Sequence, residues 1–194
     1  TLQVPLNAFL NTEYLAIPIV FERGFSFGKY EVTNGQWDAC HADGGCEKAA
    51  AGPEARLKDH PVVLVDWHQA QQYARWLSKK TGRRYRLPTE QEWYYAASEG
   101  KGYKVEDRVP DYPHAAEVRQ VPPPPWPVDT FGAPGWGVAD THGNVWDWTL
   151  SCHTLSPQRL LEKPDPQKLD SADCCSTRIA AGENRSHVPD FVAE

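Results

Sequence analysis

Three short segments of the chain begin with the same helix-capping pattern, which predicts three helices at known positions. In each segment, the side chain of a Thr or Asp can accept from the backbone N–H three residues on. The Gln or Glu at that later position can reach back to the first backbone N–H, which completes a capping box. The pairs are Thr33 with Gln36, Asp66 with Gln69, and Thr89 with Glu92. The predicted helices end near Ala42, Gly82 and Ser98.

The rest of the chain predicts short strands and long ordered loops. Residues 25–32 and 61–65 have strand-like content, and Val62 to Val65 form a continuous apolar run typical of a buried strand. Seventeen Pro and fourteen Gly are spread along the chain and interrupt longer regular elements. We therefore predict a single α+β domain over residues 1–194, with few helices, short strands and many ordered loops.

Charge and hydropathy exclude two classes of partner. The net charge is -6, and no cluster of basic residues stands out beyond Arg83-Arg84. Nucleic acid is therefore not expected as a partner, because phosphate binding needs a basic face. No apolar run approaches the roughly 18 residues that a membrane-spanning helix needs, so no membrane span is expected.

The five cysteines predict disulfides. Cys40 and Cys46 flank a short segment with two glycines, which lets the loop fold back so that the two sulfurs can meet. The alternatives are two buried free thiols or a zinc site, although no second Cys/His pair has matching spacing. Of the remaining Cys152, Cys174 and Cys175, we expect one of the last two to pair with the first, leaving one odd thiol. Disulfides of this kind indicate a periplasmic or secreted protein.

The stretch from Asp140 to Trp148 is a candidate cation site. Asp140 and Asp147 lie seven residues apart around Gly143, so a turn here can direct two carboxylates and backbone carbonyls at one point. Hard oxygen ligands in an irregular arrangement suit Ca²⁺ better than Mg²⁺ or a transition metal. The alternative is that the two aspartates only cap turns.

Several blocks, in order, resemble the formylglycine-generating enzymes, also called sulfatase-modifying factors. The most specific are RLPTEQEW over residues 86–93 and HGNVWDW over residues 142–148. GKYEVT at 28–33, HPVV at 60–63 and VDW at 65–67 add to the match, which covers roughly residues 25–150. The resemblance implies the irregular, C-type-lectin-like α+β fold of that family. The family's Gly-rich N-terminal hairpin and its final Gly-Phe-Arg strand are not found, so we expect N- and C-terminal pieces of the domain to be missing.

The resemblance also implies a structural Ca²⁺ on the turn. Carried over to this chain, its ligands are the side chains of Asp140 and Asp147 and the carbonyls of Gly143 and Val145. Asp147 replaces the Glu that the family usually has, which shortens the reach of this ligand by one methylene.

The family's copper site is not matched. Its enzymes hold copper on two late cysteines, and soft thiolates suit Cu(I). Alignment on residues 178–181 puts Cys174 at the second cysteine position and the non-ligating Leu169 near the first. The RGGSW block that normally precedes the pair is also absent. Copper is therefore not expected, and no sequence pattern identifies another redox cofactor.

The late segment resembles periplasmic members of the family that act in the oxidative maturation of a siderophore, from dihydropyoverdine to pyoverdine. The implied partner is a small peptide-derived siderophore precursor. We predict Glu183 as a general base, His187 as the second choice and Arg178 as an electrostatic partner, with Trp146 and Arg185 in the substrate cleft. The alternatives without a catalytic role are that Arg178 and Glu183 form a structural ion pair, that His187 is an ordinary loop residue and that Trp146 belongs to the core. Two other functions stay open: a formylglycine-type oxidase acting on a protein cysteine, and a non-catalytic lectin-like binding module.

Overall fold

The computed structural model contains three helices and two small antiparallel sheets in the part of the chain that it describes. The described residues are 2–3, 16–17, 20–21, 23–50, 57–100, 125–130, 132–133, 135–141, 143–152 and 178–182. In chain order the elements are β1 Leu2–Gln3, β2 Ala16–Ile17, α1 Asn34–Ala42, α2 Trp67–Thr81, α3 Glu90–Ala97, β3 Asp147–Cys152 and β4 Arg178–Ala181. β1 pairs with β2, and β3 pairs with β4. The predicted fold class, α+β with few helices, short strands and many loops, is confirmed.

All three predicted helices form where the capping pattern places them. Thr33, Asp66 and Thr89 are the N-caps, and each closes a complete capping box with the side chain three residues on. α2 ends at Gly82, whose φ of 70° is a left-handed conformation that favours glycine. None of the described helices is long and apolar enough to cross a membrane.

The core between α1 and α2 is aromatic and is closed by a disulfide. Trp37 is 2% exposed, and its ring stacks on Tyr73 with centroids 5.6 Å apart. Cys40 and Cys46 form the predicted disulfide at one side of this cluster. These contacts fix the first two helices to each other, because buried aromatic rings remove large apolar areas from water.

The two strand predictions are wrong. Residues 25–32 and 61–65 form no strand, and the bonds between these regions include an isolated bridge between Thr33 and Pro61 and a bond from the Val62 N–H to the Val32 carbonyl. Leu64 has a φ of 58°, so the chain turns in the middle of the apolar run. Its side chain is 72% exposed, which contradicts the prediction of a buried strand. A left-handed residue cannot continue an extended ladder.

β3 and β4, which the sequence pattern did not predict, form an antiparallel pair. Asp147 pairs with Ala181 and Cys152 with Arg178, with a register shift between them. The backbone N–H of Leu150 in β3 donates to the Pro88 carbonyl just before α3, over 2.7 Å.

Two indole groups connect β3 to the segment around α2. The Trp67 Nε1 donates to the Thr149 carbonyl over 2.8 Å, and the Trp148 Nε1 donates to the Val65 carbonyl over 2.9 Å. β3 is therefore held against the start of α2 and against the residues just before α3.

We expect Gly45→Ala to destabilise the protein by about 1–3 kcal/mol, because a new methyl group would overlap well-packed atoms. A Cβ at position 45 would overlap the Trp76 side chain. That side chain cannot easily move away, because its Nε1 donates to Asp43 Oδ2 over 3.0 Å. Urea denaturation of the wild type and the variant measures the change.

Gly24→Ala is the matched control, since no atom lies within 4 Å of the added Cβ. The free energy of unfolding of this variant should stay within about 0.5 kcal/mol of the wild-type value, as for most surface substitutions. Equal urea midpoints for the two variants would contradict the tight packing of Trp76 on the disulfide loop.

Candidate functional site

The turn from Asp140 to Val145 leads into β3 and contains three left-handed residues. Asp140, Gly143 and Asn144 have φ values of 56°, 103° and 62°. Asp140 is 6% exposed and Asn144 is fully buried. Such backbone conformations cost free energy unless the surroundings hold them, and they are common at functional sites. His142 lies outside the described residues.

Each of the two aspartates is oriented by one N–H donor from a different part of the chain. The backbone N–H of Asp129 donates to Asp140 Oδ2 over 2.6 Å. The indole Nε1 of Trp93, in α3, donates to Asp147 Oδ2 over 2.9 Å. Donors of this kind fix the orientation of carboxylates that bind metal ions in proteins.

Asn144 holds a third acid, Glu31, next to the aspartates. The backbone N–H of Trp126 donates to Asn144 Oδ1 over 2.9 Å, which fixes the orientation of the amide. Asn144 Nδ2 then donates to Glu31 Oε1 over 2.9 Å. The other oxygen, Glu31 Oε2, is buried and has no hydrogen-bond partner. Sequence reasoning missed both residues, although Glu31 and Asn144 lie inside the GKYEVT and HGNVWDW blocks.

The three acids repel one another in a site with little water. Burial raises the pKa of Glu31 to about 8, and the charges of Asp147 and Asp140 add to this rise. Burial also raises the pKa of Asp147 to about 6, with a further contribution from Asp140 that the Trp93 donor opposes. No cationic side chain of the described residues is paired with Glu31 or Asp147. The site therefore carries acid groups that the described protein does not neutralise.

These residues fit a hard divalent cation. Across the described ranges, no three His, Cys, Asp or Glu side chains come close enough to hold an ion by themselves. A set of two carboxylates and two carbonyls does not need a third side chain, and Ca²⁺ accepts backbone carbonyls as ligands. The predicted ligands Asp140, Gly143 and Val145 lie in the turn, and Asp147 begins β3 directly after it. The unpaired Glu31 Oε2 beside them is consistent with a missing positive group.

Two cavities lie beside the turn and share Trp146. One, of about 260 Å³, lies between residues 62–65 and the turn. The other, of about 1040 Å³, is lined by aromatic rings and by both acidic and basic side chains, including Glu31 and Arg86. The indole Nε1 of Trp146 is buried and makes no hydrogen bond within the described part of the chain.

The predicted catalytic residues are only partly within the described structure. Arg178, in β4, stacks on the Trp67 ring at 3.8 Å and donates from Nη1 to the Leu150 carbonyl. It therefore lies in the packing between β4 and α2, and neither of the two cavities is lined by it. The other predicted residues lie outside the described residues: Glu183, Arg185 and His187.

The late cysteines are described in part. Cys152, at the end of β3, is disulfide-bonded. Cys174 and Cys175 lie outside the described residues, so which of them pairs with Cys152 stays a prediction.

Comparison with known proteins identifies relatives along most of the chain. The family model described as a sulfatase-modifying factor enzyme 1-like domain matches residues 12–194. The formylglycine-generating enzyme of Streptomyces coelicolor is 35% identical over 121 residues, which cover 55% of this chain and 36% of the relative. That of Mycobacterium tuberculosis is 32% identical over 157 residues, which cover 72% of this chain and 47% of the relative. The chain thus spans less than half the length of these two curated relatives.

A solved structure has a similar fold. It is the structure of PvdO from Pseudomonas aeruginosa, which matches with a TM-score of 0.57 and 28% sequence identity. The match covers 83% of this chain and 68% of that chain.

We expect Glu90→Gln to stabilise the protein above about pH 7 and to flatten its stability profile below it. Burial raises the pKa of the Glu90 carboxyl from 4.5 to about 7 at the start of α3. The unfolded chain therefore ionises first, and wild-type stability falls as the pH rises through this window. Urea denaturation between pH 4 and pH 8 measures the profile.

Glu47→Gln is the control for the loss of one exposed carboxylate. A profile for Glu90→Gln that runs parallel to that of the wild type would contradict the raised pKa of the Glu90 carboxyl.

Proposed function

Because the chain belongs to the sulfatase-modifying factor family, also called the formylglycine-generating enzyme family, we propose that it acts in the oxidative maturation of a siderophore chromophore. The proposed reaction converts dihydropyoverdine to pyoverdine in the periplasm. The observation that carries the proposal is the structural similarity to PvdO over 83% of the chain. The late segment, which resembles the periplasmic members that act in this maturation, supports the same substrate class.

The state of the cysteines supports a reaction without the family's dithiolate copper site. Cys40 and Cys46 bond to each other, and Cys152 is also in a disulfide. With five cysteines in the chain, at most one is left as a free thiol. A copper site of two thiolates needs two. We therefore favour siderophore maturation over oxidation of a protein cysteine by dithiolate copper.

A structural Ca²⁺ is part of the proposal. It would be held by the side chains of Asp140 and Asp147 and by the carbonyls of Gly143 and Val145. When bound, the cation supplies positive charge but no redox chemistry. The Trp93 and Asp129 donors already orient the two carboxylates. The cation and these two donors together would fix the turn and, with it, the position of Trp146 beside the cavities.

The larger cavity provides a surface for a flat, hydroxylated ring system. Tyr30, Trp93 and Trp146 are among the aromatic rings that line it. Apolar faces with a few polar groups are typical of small-molecule sites. The Trp146 Nε1 supplies a donor without a partner in the described structure. We propose that it donates to an oxygen of the ring.

The reaction removes two electrons and two protons from the dihydro ring. A general base must accept a proton as the ring is oxidised. For this role we propose Glu183, with His187 as the second choice and Arg178 as an electrostatic partner. We propose dioxygen as the acceptor of the two electrons and two protons, which reduces it to hydrogen peroxide, so the reaction should proceed in air and stop under argon.

We expect the purified intact protein to convert dihydropyoverdine to the fluorescent product with a mass loss of two hydrogens. Fluorescence and mass spectrometry follow the reaction, in air and under argon, against a sample without protein. A cysteine peptide offered in parallel tests the formylglycine alternative. Turnover of the peptide but not of the siderophore would contradict the proposal, and binding of the siderophore without turnover would favour a non-catalytic module.

We expect Trp146→Phe to raise the KM for the siderophore precursor about 2- to 10-fold, the usual size of one lost hydrogen bond. The aromatic surface is retained, so kcat should change less than KM. Steady-state kinetics measures both constants.

Trp136→Phe is the matched control, since Trp136 is 55% exposed and lines neither cavity. Unchanged KM in Trp146→Phe, or an equal rise in both variants, would contradict a substrate contact at Trp146.

A further inference from the structure

We propose that Arg83 and Arg84 form an anion-binding subsite of the larger cavity, which binds a carboxylate on the peptide portion of the ligand. This inference rests on the proposed siderophore maturation, because the ligand is the siderophore precursor. The two residues are the basic pair that stands out in the sequence. Neither the cation turn nor the proposed proton transfer uses them.

Arg83 and Arg84 are cations without a partner in the described part of the chain. Four basic side chains line the larger cavity: Lys29, Arg83, Arg84 and Arg86. Arg86 donates to both carboxylate oxygens of Glu92, over 2.6 Å each, and Lys29 lies 4.7 Å from the centre of an aromatic ring. Arg83 and Arg84 are exposed, and their side chains make no ion pair or hydrogen bond with a described residue. Since a guanidinium group stays charged in proteins, both are available to an anion.

The backbone that carries the two arginines is held on both sides. α2 ends at Gly82, and the backbone N–H of Tyr85 then donates to Ser78 Oγ in the last turns of that helix, over 2.8 Å. On the other side, the two bonds from Arg86 to Glu92 fix the chain against α3. The arginine side chains therefore extend from a fixed part of the cavity wall, so less conformational freedom is lost when they bind an anion.

The shape of the guanidinium group favours a carboxylate as the bound anion. Its planar set of N–H donors matches the two oxygens of a carboxylate, which gives two parallel hydrogen bonds. The neighbouring Arg86 binds Glu92 in this way within the same wall. Because adjacent like charges repel each other, an anion bound between Arg83 and Arg84 also removes an unfavourable interaction.

The charges on the cavity wall orient a ligand that carries a carboxylate. Glu31 and Asp147 line the cavity at the turn and at the start of β3, whereas Arg83 and Arg84 line it beside the end of α2. A carboxylate therefore meets like charges at the turn and opposite charges at the arginines. The uncharged ring system is then left for the wall that contains Trp146, next to Asp147 in the chain.

The larger cavity is big enough for one ligand to reach both the turn and the arginines. Its volume is about 1040 Å³, at the upper end of the roughly 300–1,000 Å³ that is typical of small-molecule sites. The flat ring system proposed for the aromatic wall fills only a part of such a volume. The remaining space holds the peptide portion, whose carboxylate then meets Arg83 and Arg84.

The test compares the free acid of the siderophore precursor with its methyl ester on the intact protein. We expect the double variant Arg83→Gln/Arg84→Gln to raise the KM for the acid about tenfold or more, the usual effect of losing hydrogen bonds to a charged group. The kcat should change less than the KM, because the ring is not touched. The ester carries no charge, so its KM should be similar in the wild type and the variant. Tryptophan fluorescence titration measures the binding of both compounds without turnover.

Two further variants serve as controls. Arg75→Gln removes an exposed arginine of α2 that lines neither cavity, so the KM for the acid should stay at the wild-type value. Arg83→Lys/Arg84→Lys keeps both charges but loses the planar donors, and it should recover a part of the lost affinity for the acid.

An equal rise in KM for the acid and the ester in the double Gln variant would overturn this inference and leave siderophore maturation in place, because charge would not be the cause. Equal affinity of the wild type for the acid and the ester would also overturn it. Binding of the acid that depends on the arginines, without turnover by the wild type, would overturn the proposed reaction and support the subsite. Binding of neither compound would overturn both.

Discussion

The structure depends on the burial of carboxylates around a fully buried asparagine. Glu31 and Asp147 lie in one region with Asp140, and no cationic side chain of the described residues is paired with either of the first two. Buried acids of like charge oppose folding unless a cation or protons balance them. The negative charge around the turn that leads into β3 therefore lowers the stability of the domain unless it is balanced. A divalent cation balances it most simply, because the turn also offers carbonyl oxygens as ligands.

Hydrogen bonds from tryptophan N–H groups fix the turn and β3 relative to the helices. Trp67 and Trp148 bond carbonyls across the gap between β3 and the segment before α2, and Trp93 bonds the Asp147 carboxylate from α3. Each indole combines a large apolar surface with one directional donor. The walls of the cavities are thus positioned relative to the turn by a few bonds of defined geometry. A ligand in the larger cavity would meet a preformed surface.

The sequence predicted those parts of the structure that local chemistry determines. The helices could be located because Thr33, Asp66 and Thr89 satisfy backbone donors only three residues away. The strand at 61–65 was mispredicted because a single left-handed residue, Leu64, cannot be read from hydropathy. The turn itself was identified from its two aspartates. Glu31 was missed because its partner Asn144 lies 113 residues away in the chain, and such pairs are visible only in the folded protein.

The chain shares its family with enzymes that generate formylglycine, yet most of its cysteines are already in disulfides. We therefore propose a structural role for the turn and a ligand site in the cavities beside it. The main proposal is that a calcium ion binds at Asp140–Asp147. A crystal structure of the intact chain grown with calcium is the decisive test. We expect one ion about 2.3–2.6 Å from oxygens of Asp140, Gly143, Val145 and Asp147. A turn of the same shape that holds no ion, with its acids paired to basic side chains of the chain, would contradict it.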